Sequence, residues 1–86
     1  MKQNKVRLYT LSTCSHCKAA KRFLSEHGIE YEYTDVDLLE GKERADMIEE
    51  VRRYNPRCTF PTILIGDEVI IGNNPEVLGR ALGIKA

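Results

Sequence analysis

Two cysteines three positions apart, in the run Cys14-Ser15-His16-Cys17, are the residues of this chain best equipped for chemistry. A thiolate, not a thiol, is the nucleophile of disulfide exchange. The residues before the pair, Val6-Arg7-Leu8-Tyr9-Thr10-Leu11, are rich in β-formers. Those after it, Ser15 to His27, place Cys17, Ala20, Phe23 and Leu24 at helical spacing. Cys14 is therefore expected at a helix N-terminus, where unpaired N–H groups and the helix dipole favour its anion. His16, when protonated, and Lys18 lie close enough in sequence to add to that field and tune the thiol. Cys17 is about one helical turn further on. It is placed to attack a mixed disulfide held on Cys14 and to leave a Cys14–Cys17 disulfide.

The same spacing also serves zinc, which normally takes four ligands. There is no second C-x-x-C and no paired histidines, so a zinc site would have to assemble Cys14, His16, Cys17 and Cys58. A third reading makes both cysteines inert core residues of a helix.

The elements that must position the pair follow from pattern. Gly28 suits the left-handed position that ends the first helix, with His27 as a favourable cation at its C-terminus. Residues Ile29 to Val36 alternate as a second strand. Leu39 to Tyr54 form a helix with Met47, Ile48, Val51 and Tyr54 as its apolar stripe, supported by the pairs Glu40–Arg44 and Glu49–Arg53. Asn55-Pro56 stops it. Thr62-Ile63-Leu64-Ile65 and Val69-Ile70-Ile71, joined by Gly66-Asp67-Glu68, form a hairpin. Asn74-Pro75-Glu76 starts a final helix carrying Val77, Leu78, Ala81 and Leu82. The order β-α-β-α-β-β-α gives an α/β fold: a four-stranded mixed sheet, first two strands parallel, flanked by helices.

Bulk composition sets the outer limits. At 86 residues, 42% hydrophobic and 30% charged, residues 1–86 are expected to form a single soluble domain. Zero formal net charge argues against nucleic acid or an anionic membrane as partner. Met1-Lys2-Gln3-Asn4-Lys5 has no apolar signal core, and no run is long enough to span a bilayer, so a cytoplasmic location is expected. In a reducing compartment a close cysteine pair is catalytic or metal-binding rather than a structural staple.

Thr59-Phe60-Pro61-Thr62 puts a proline immediately before the third strand. With the cysteine pair at a strand-to-helix junction and the short last helix, the chain resembles the thioredoxin superfamily, and most closely the glutaredoxins, over nearly its whole length. The resemblance implies a thioredoxin-like fold and thiol–disulfide oxidoreductase activity, with Cys14 attacking and Cys17 resolving. It implies a cis bond before Pro61, opposite the cysteine pair, with the backbone of Phe60, flanked by Thr59, pairing with extended substrate backbone. It implies a disulfide-containing protein as substrate, glutathione as a co-substrate, no tightly bound cofactor or metal, and a monomer.

Departures from the family bear on the reductant. Where glutaredoxins carry a cation three residues before the first cysteine, this chain has Leu11. Arg53 or Arg57 would have to replace it, though both also read as solvated helix-end charges. The stretch matching the family's γ-glutamyl-binding loop is Gly72-Asn73-Asn74-Pro75-Glu76, in which Pro75 has no N–H to donate while Asn74 and Glu76 remain available. These changes favour a protein reductant, as in redoxins recharged by thioredoxin reductase. Ser15, where family motifs commonly have proline, resembles glutaredoxins that carry an iron–sulfur cluster, the alternative function. Cys58, three residues before Pro61, is either an extra exchange thiol or a small apolar filler.

Overall fold

The computed structural model describes residues 5–72 and 74–83; expectations for residues 1–4, for Asn73 and for residues 84–86 lie outside the described residues. The elements are β1 (Val6–Thr10), α1 (Ser15–Glu26), β2 (Glu32–Asp35), a single 3-10 turn (Val36–Leu38), α2 (Gly41–Tyr54), β3 (Thr62–Ile65), β4 (Glu68–Ile71) and α3 (Pro75–Leu82). The sheet order is β2-β1-β3-β4. β1 and β2 are parallel, with Thr10 opposite Asp35, while β1–β3 and β3–β4 are antiparallel, with Tyr9 opposite Thr62 and Ile65 opposite Glu68.

Strand alternation sorts the core onto two faces. Val6, Leu8, Ile63, Ile65 and Ile70 pack with Ala20 and Leu24 of α1 and Leu78 of α3. On the other face Tyr9 and Leu64 pack with Val51 of α2, and Met47, Cys58 and Phe60 close over them. The buried Tyr9 hydroxyl donates to the Glu50 carboxylate, and burial together with that carboxylate pushes its pKa up.

α1 ends as its sequence dictates. Gly28 sits at φ +69°, the Ile29 N–H donates to the Leu24 carbonyl at 2.9 Å and the Gly28 N–H to the Ser25 carbonyl at 3.1 Å. Ile29 also packs against the Leu24 cluster, completing a Schellman closure. That closure corrects one expectation: β2 runs from Glu32 to Asp35, not Ile29 to Val36. Ile29 spends its N–H on the helix end, Tyr31 folds against the core, and Val36 is buried by the 3-10 turn instead of extending the strand.

The start of α2 differs too. It begins at Gly41 rather than Leu39, and Arg44 does not serve Glu40; it donates to the carbonyls of Leu39 (2.9 Å) and Asp37 (3.0 Å). The i,i+4 ion pair of this helix among the described residues is Lys42–Asp46 at 3.0 Å, not Glu49–Arg53. The stripe expected on α2 holds in part: Val51 is fully buried and Met47 packs beside it, whereas Tyr54, stacked on Tyr9, stays exposed. Gly66 takes φ +58° in a two-residue hairpin turn with Asp67, and Asn74 caps α3 by accepting the Val77 N–H at 3.3 Å, with Pro75 at the first helical position.

Candidate active site

β1 delivers the cysteine pair. Past Thr10 the chain turns, the Cys14 N–H donating to the Leu11 carbonyl at 3.2 Å, and the Lys18 N–H then donates to the Cys14 carbonyl at 3.1 Å as α1 begins. Cys14 is the N-cap residue, and its Sγ accepts the Cys17 N–H at 3.3 Å. A sulfur in that position receives the donor that a Ser or Asp cap would otherwise satisfy, a contact stronger for an anion than for a neutral thiol.

The two thiols have different surroundings. Cys14 is half-buried and reachable from solvent, whereas Cys17 is 0% exposed. Burial, with the neighbouring Cys14 sulfur second, pushes the Cys17 thiol up to about 12. The pair thus combines an accessible sulfur aimed at by a backbone donor with a buried one held as a protonated thiol.

His16 and Lys18 are exposed on the first turn and make no side-chain hydrogen bond or ion pair among the described residues. The cation whose charge opposes the upward push on Cys17 is Lys21, one turn further along the same helix. Its Nζ lies 3.2 Å from Asp35 Oδ1 and 3.9 Å from the centre of the Tyr33 ring, a cation–π contact. Spacing alone carried that signal, since Lys21 is at i+4 from Cys17.

Asp37 was also not apparent from sequence. Its carboxylate accepts the Ser12 hydroxyl (2.6 Å) and the Ser12 N–H (2.8 Å), tying the loop that carries Cys14 to the 3-10 turn after β2. The Ser12 hydroxyl, then its N–H, hold the Asp37 carboxyl below the usual carboxylate range. The parallel register explains the meeting: Thr10 opposite Asp35, carried two residues on, sets Ser12 opposite Asp37.

The antiparallel register of β1 and β3 brings the loop before Thr62 to the end of the sheet from which the cysteines emerge. There the Phe60–Pro61 bond is cis, Pro61 is buried, and Phe60 packs half-buried on the Tyr9–Val51 cluster. Among the described residues neither the N–H nor the C=O of Phe60 has a hydrogen-bond partner. Cys58, at φ +51°, packs partly buried against the same apolar cluster.

Beside this loop, the Gly72 N–H donates to the Pro61 carbonyl at 2.8 Å. Asn74 is engaged as the α3 cap, and Glu76 is exposed on the first turn. Arg53 lines a depression on α2 with Asp46, Glu49 and Glu50, and exposed Arg57 donates its N–H to the Asn55 side chain at 3.2 Å. No group of three or more His, Cys, Asp and Glu side chains is gathered in a metal-holding arrangement among the described residues.

Comparison with known proteins agrees with this geometry. A family model described as "Glutaredoxin" matches residues 6–70. The chain is 29% identical over 75 residues to the glutaredoxin-like protein NrdH of Salmonella typhimurium, covering 87% of this chain and 85% of that protein. Methanoredoxin of Methanosarcina acetivorans superposes with a TM-score of 0.90 at 38% identity, over 95% of this chain and 87% of the other. The NrdH-redoxin of Escherichia coli, described as having a thioredoxin-like activity profile, superposes with a TM-score of 0.74 at 26% identity, over 88% and 92% of the two chains.

Proposed function

Because the chain belongs to the glutaredoxin family and is a thiol–disulfide oxidoreductase with the thioredoxin-like fold, we propose that it reduces protein disulfides through Cys14 as the attacking thiolate and Cys17 as the resolving thiol. The observation that carries this assignment is the contrast within the pair: Cys14 is an accessible N-cap that accepts a backbone N–H, and Cys17 is sealed in the core as a thiol.

In the first step the Cys14 sulfur attacks the substrate disulfide, forming a mixed disulfide as the other substrate sulfur leaves as a thiolate. Cys17 then loses its proton and attacks the Cys14 sulfur. A Cys14–Cys17 disulfide forms, the second substrate sulfur leaves, and two electrons have passed to the substrate. The Phe60 backbone, without a hydrogen-bond partner among the described residues, supports docking of extended substrate chain beside Cys14.

The reductant that regenerates the dithiol is proposed to be a protein of the thioredoxin-reductase type, with glutathione a weaker co-substrate. Three features support this. Leu11 replaces the expected cation, Pro75 has no N–H, and the Gly72 N–H is already spent on Pro61.

Two variants test the assignment. Cys14→Ser should abolish insulin reduction, while Cys17→Ser should trap a mixed disulfide on Cys14, detectable by mass; wild-type turnover by Cys14→Ser would refute the mechanism. An NADPH-coupled assay decides the reductant. Turnover with thioredoxin reductase at least equal to that with glutathione and its reductase is expected, and fast turnover through glutathione alone would overturn that part.

A further inference from the structure

One fully buried polar side chain near the site is not used by the exchange chemistry: Asn55, 1% exposed. It closes α2, its N–H donating to the Val51 carbonyl at 2.8 Å, and Pro56 prevents the helix from continuing. Its carboxamide then turns inward and organises the segment that follows. Nδ2 lies 3.1 Å from the Thr59 carbonyl, 2.9 Å from Thr59 Oγ1 and 3.1 Å from Thr62 Oγ1, while Oδ1 accepts the Arg57 N–H at 3.2 Å. The Asn55 carbonyl accepts the Cys58 N–H at 2.8 Å, and the Thr62 hydroxyl donates to the Thr59 carbonyl at 2.8 Å.

The Thr59 carbonyl is therefore held twice, by Asn55 and by Thr62, both buried. A peptide unit is planar, and in its trans form the C=O and the next N–H point in opposite directions. The Thr59–Phe60 peptide is not among the cis bonds of the chain. Fixing the Thr59 carbonyl inward thus aims the Phe60 N–H outward, toward the side on which it has no partner among the described residues.

We infer that Asn55 is the positioning residue of the substrate-docking edge: by gripping the Thr59 carbonyl from the core it orients the Phe60 backbone to receive extended peptide. This rests on the reading that substrate backbone docks at Phe60. The carboxamide is suited to the task because it offers two donors to the Thr59 and Thr62 oxygens and one acceptor to Arg57. Asn55→Asp keeps the shape but sets carboxylate oxygens against that carbonyl, leaving the Thr62 hydroxyl as its one remaining donor among the described residues.

The test compares two substrates of the same dithiol protein: an extended peptide carrying a disulfide, and bis(2-hydroxyethyl) disulfide, which has no peptide backbone. Asn55→Asp should lower kcat/KM on the peptide about tenfold more than on the small disulfide, chiefly through KM. Parallel losses on both substrates, or no loss on either, would overturn the inference. Thr62→Val, which removes the second grip on the Thr59 carbonyl, should shift the same ratio in the same direction, and it decides the matter if Asn55→Asp does not fold. If the wild-type protein shows no preference for the peptide, docking at Phe60 itself fails, an outcome separate from failure of the Asn55 variants.

Discussion

At the scale of single residues, two ionisable side chains leave opposite signatures on stability. Cys17 has its thiol pushed up to about 12, by burial first. The folded protein therefore holds a proton that the unfolded chain, titrating near 9, gives up. The stabilisation is complete below about pH 9 and is lost as pH rises toward 12. Urea unfolding of the reduced protein should show that decline between pH 9 and 10, below the range in which the raised Tyr9 hydroxyl adds its own, and Cys17→Ala should lack most of the slope there; equal slopes in that interval would remove the burial argument. Asp37 is shifted the other way, by the Ser12 hydroxyl and N–H. Its contribution is present above the ordinary aspartate value of 3.8 and fades as pH falls through the lower folded value. Between pH 5 and 2 the wild type should lose stability that Asp37→Asn does not, read as the difference between their urea midpoints. Cys17 could be found in the sequence because its spacing from Cys14 is itself chemical information. Asp37 and Asn55 could not, since Asp37 meets Ser12 only through strand register and Asn55 reads from sequence merely as the residue before a proline.

At the scale of elements, local punctuation was legible where a single residue type solves a single backbone problem. Gly28, Asn74 with Pro75, and Gly66-Asp67 mark the ends and turns where they fall. Long-range demands set the rest. β2 loses three residues at its start because the closure of α1 takes the Ile29 N–H, and Arg44 leaves its helical neighbour for the carbonyls of Asp37 and Leu39. The α1 closure also makes a prediction. A Cβ added at Gly28 would meet nothing within 4 Å, so Gly28→Ala costs only the backbone's left-handed conformation. That is on the order of 1 kcal/mol. Thermal unfolding should show the drop, with Gly28→Asn falling between the two because asparagine tolerates that conformation better. An unchanged midpoint in Gly28→Ala would mean that the helix end can close another way.

At the scale of the whole molecule, the sheet divides the work of its helices unequally. α1 carries Cys14 and Cys17 at one end and commits Ala20 and Leu24, both 0% exposed, to the core. The same packing that stabilises the protein therefore aims its sulfur. α3 reaches the same cluster through Leu78, also 0% exposed, but contributes no thiol. Truncating either leucine should cost about 2–5 kcal/mol, a large share of a total of roughly 5–15 kcal/mol. The functional outcomes should nevertheless part. Leu78→Ala leaves the α1 cap and the Cys17 burial in place, so below its unfolding transition the rate of Cys14 alkylation by iodoacetamide should stay within about twofold of wild type. Leu24→Ala opens space about two turns beyond Cys17, on the face that holds α1 against the sheet, and should change that rate at the same temperature. Equal alkylation rates in the two variants, at matched loss of stability, would show that the α1 cap keeps its geometry without support from the core.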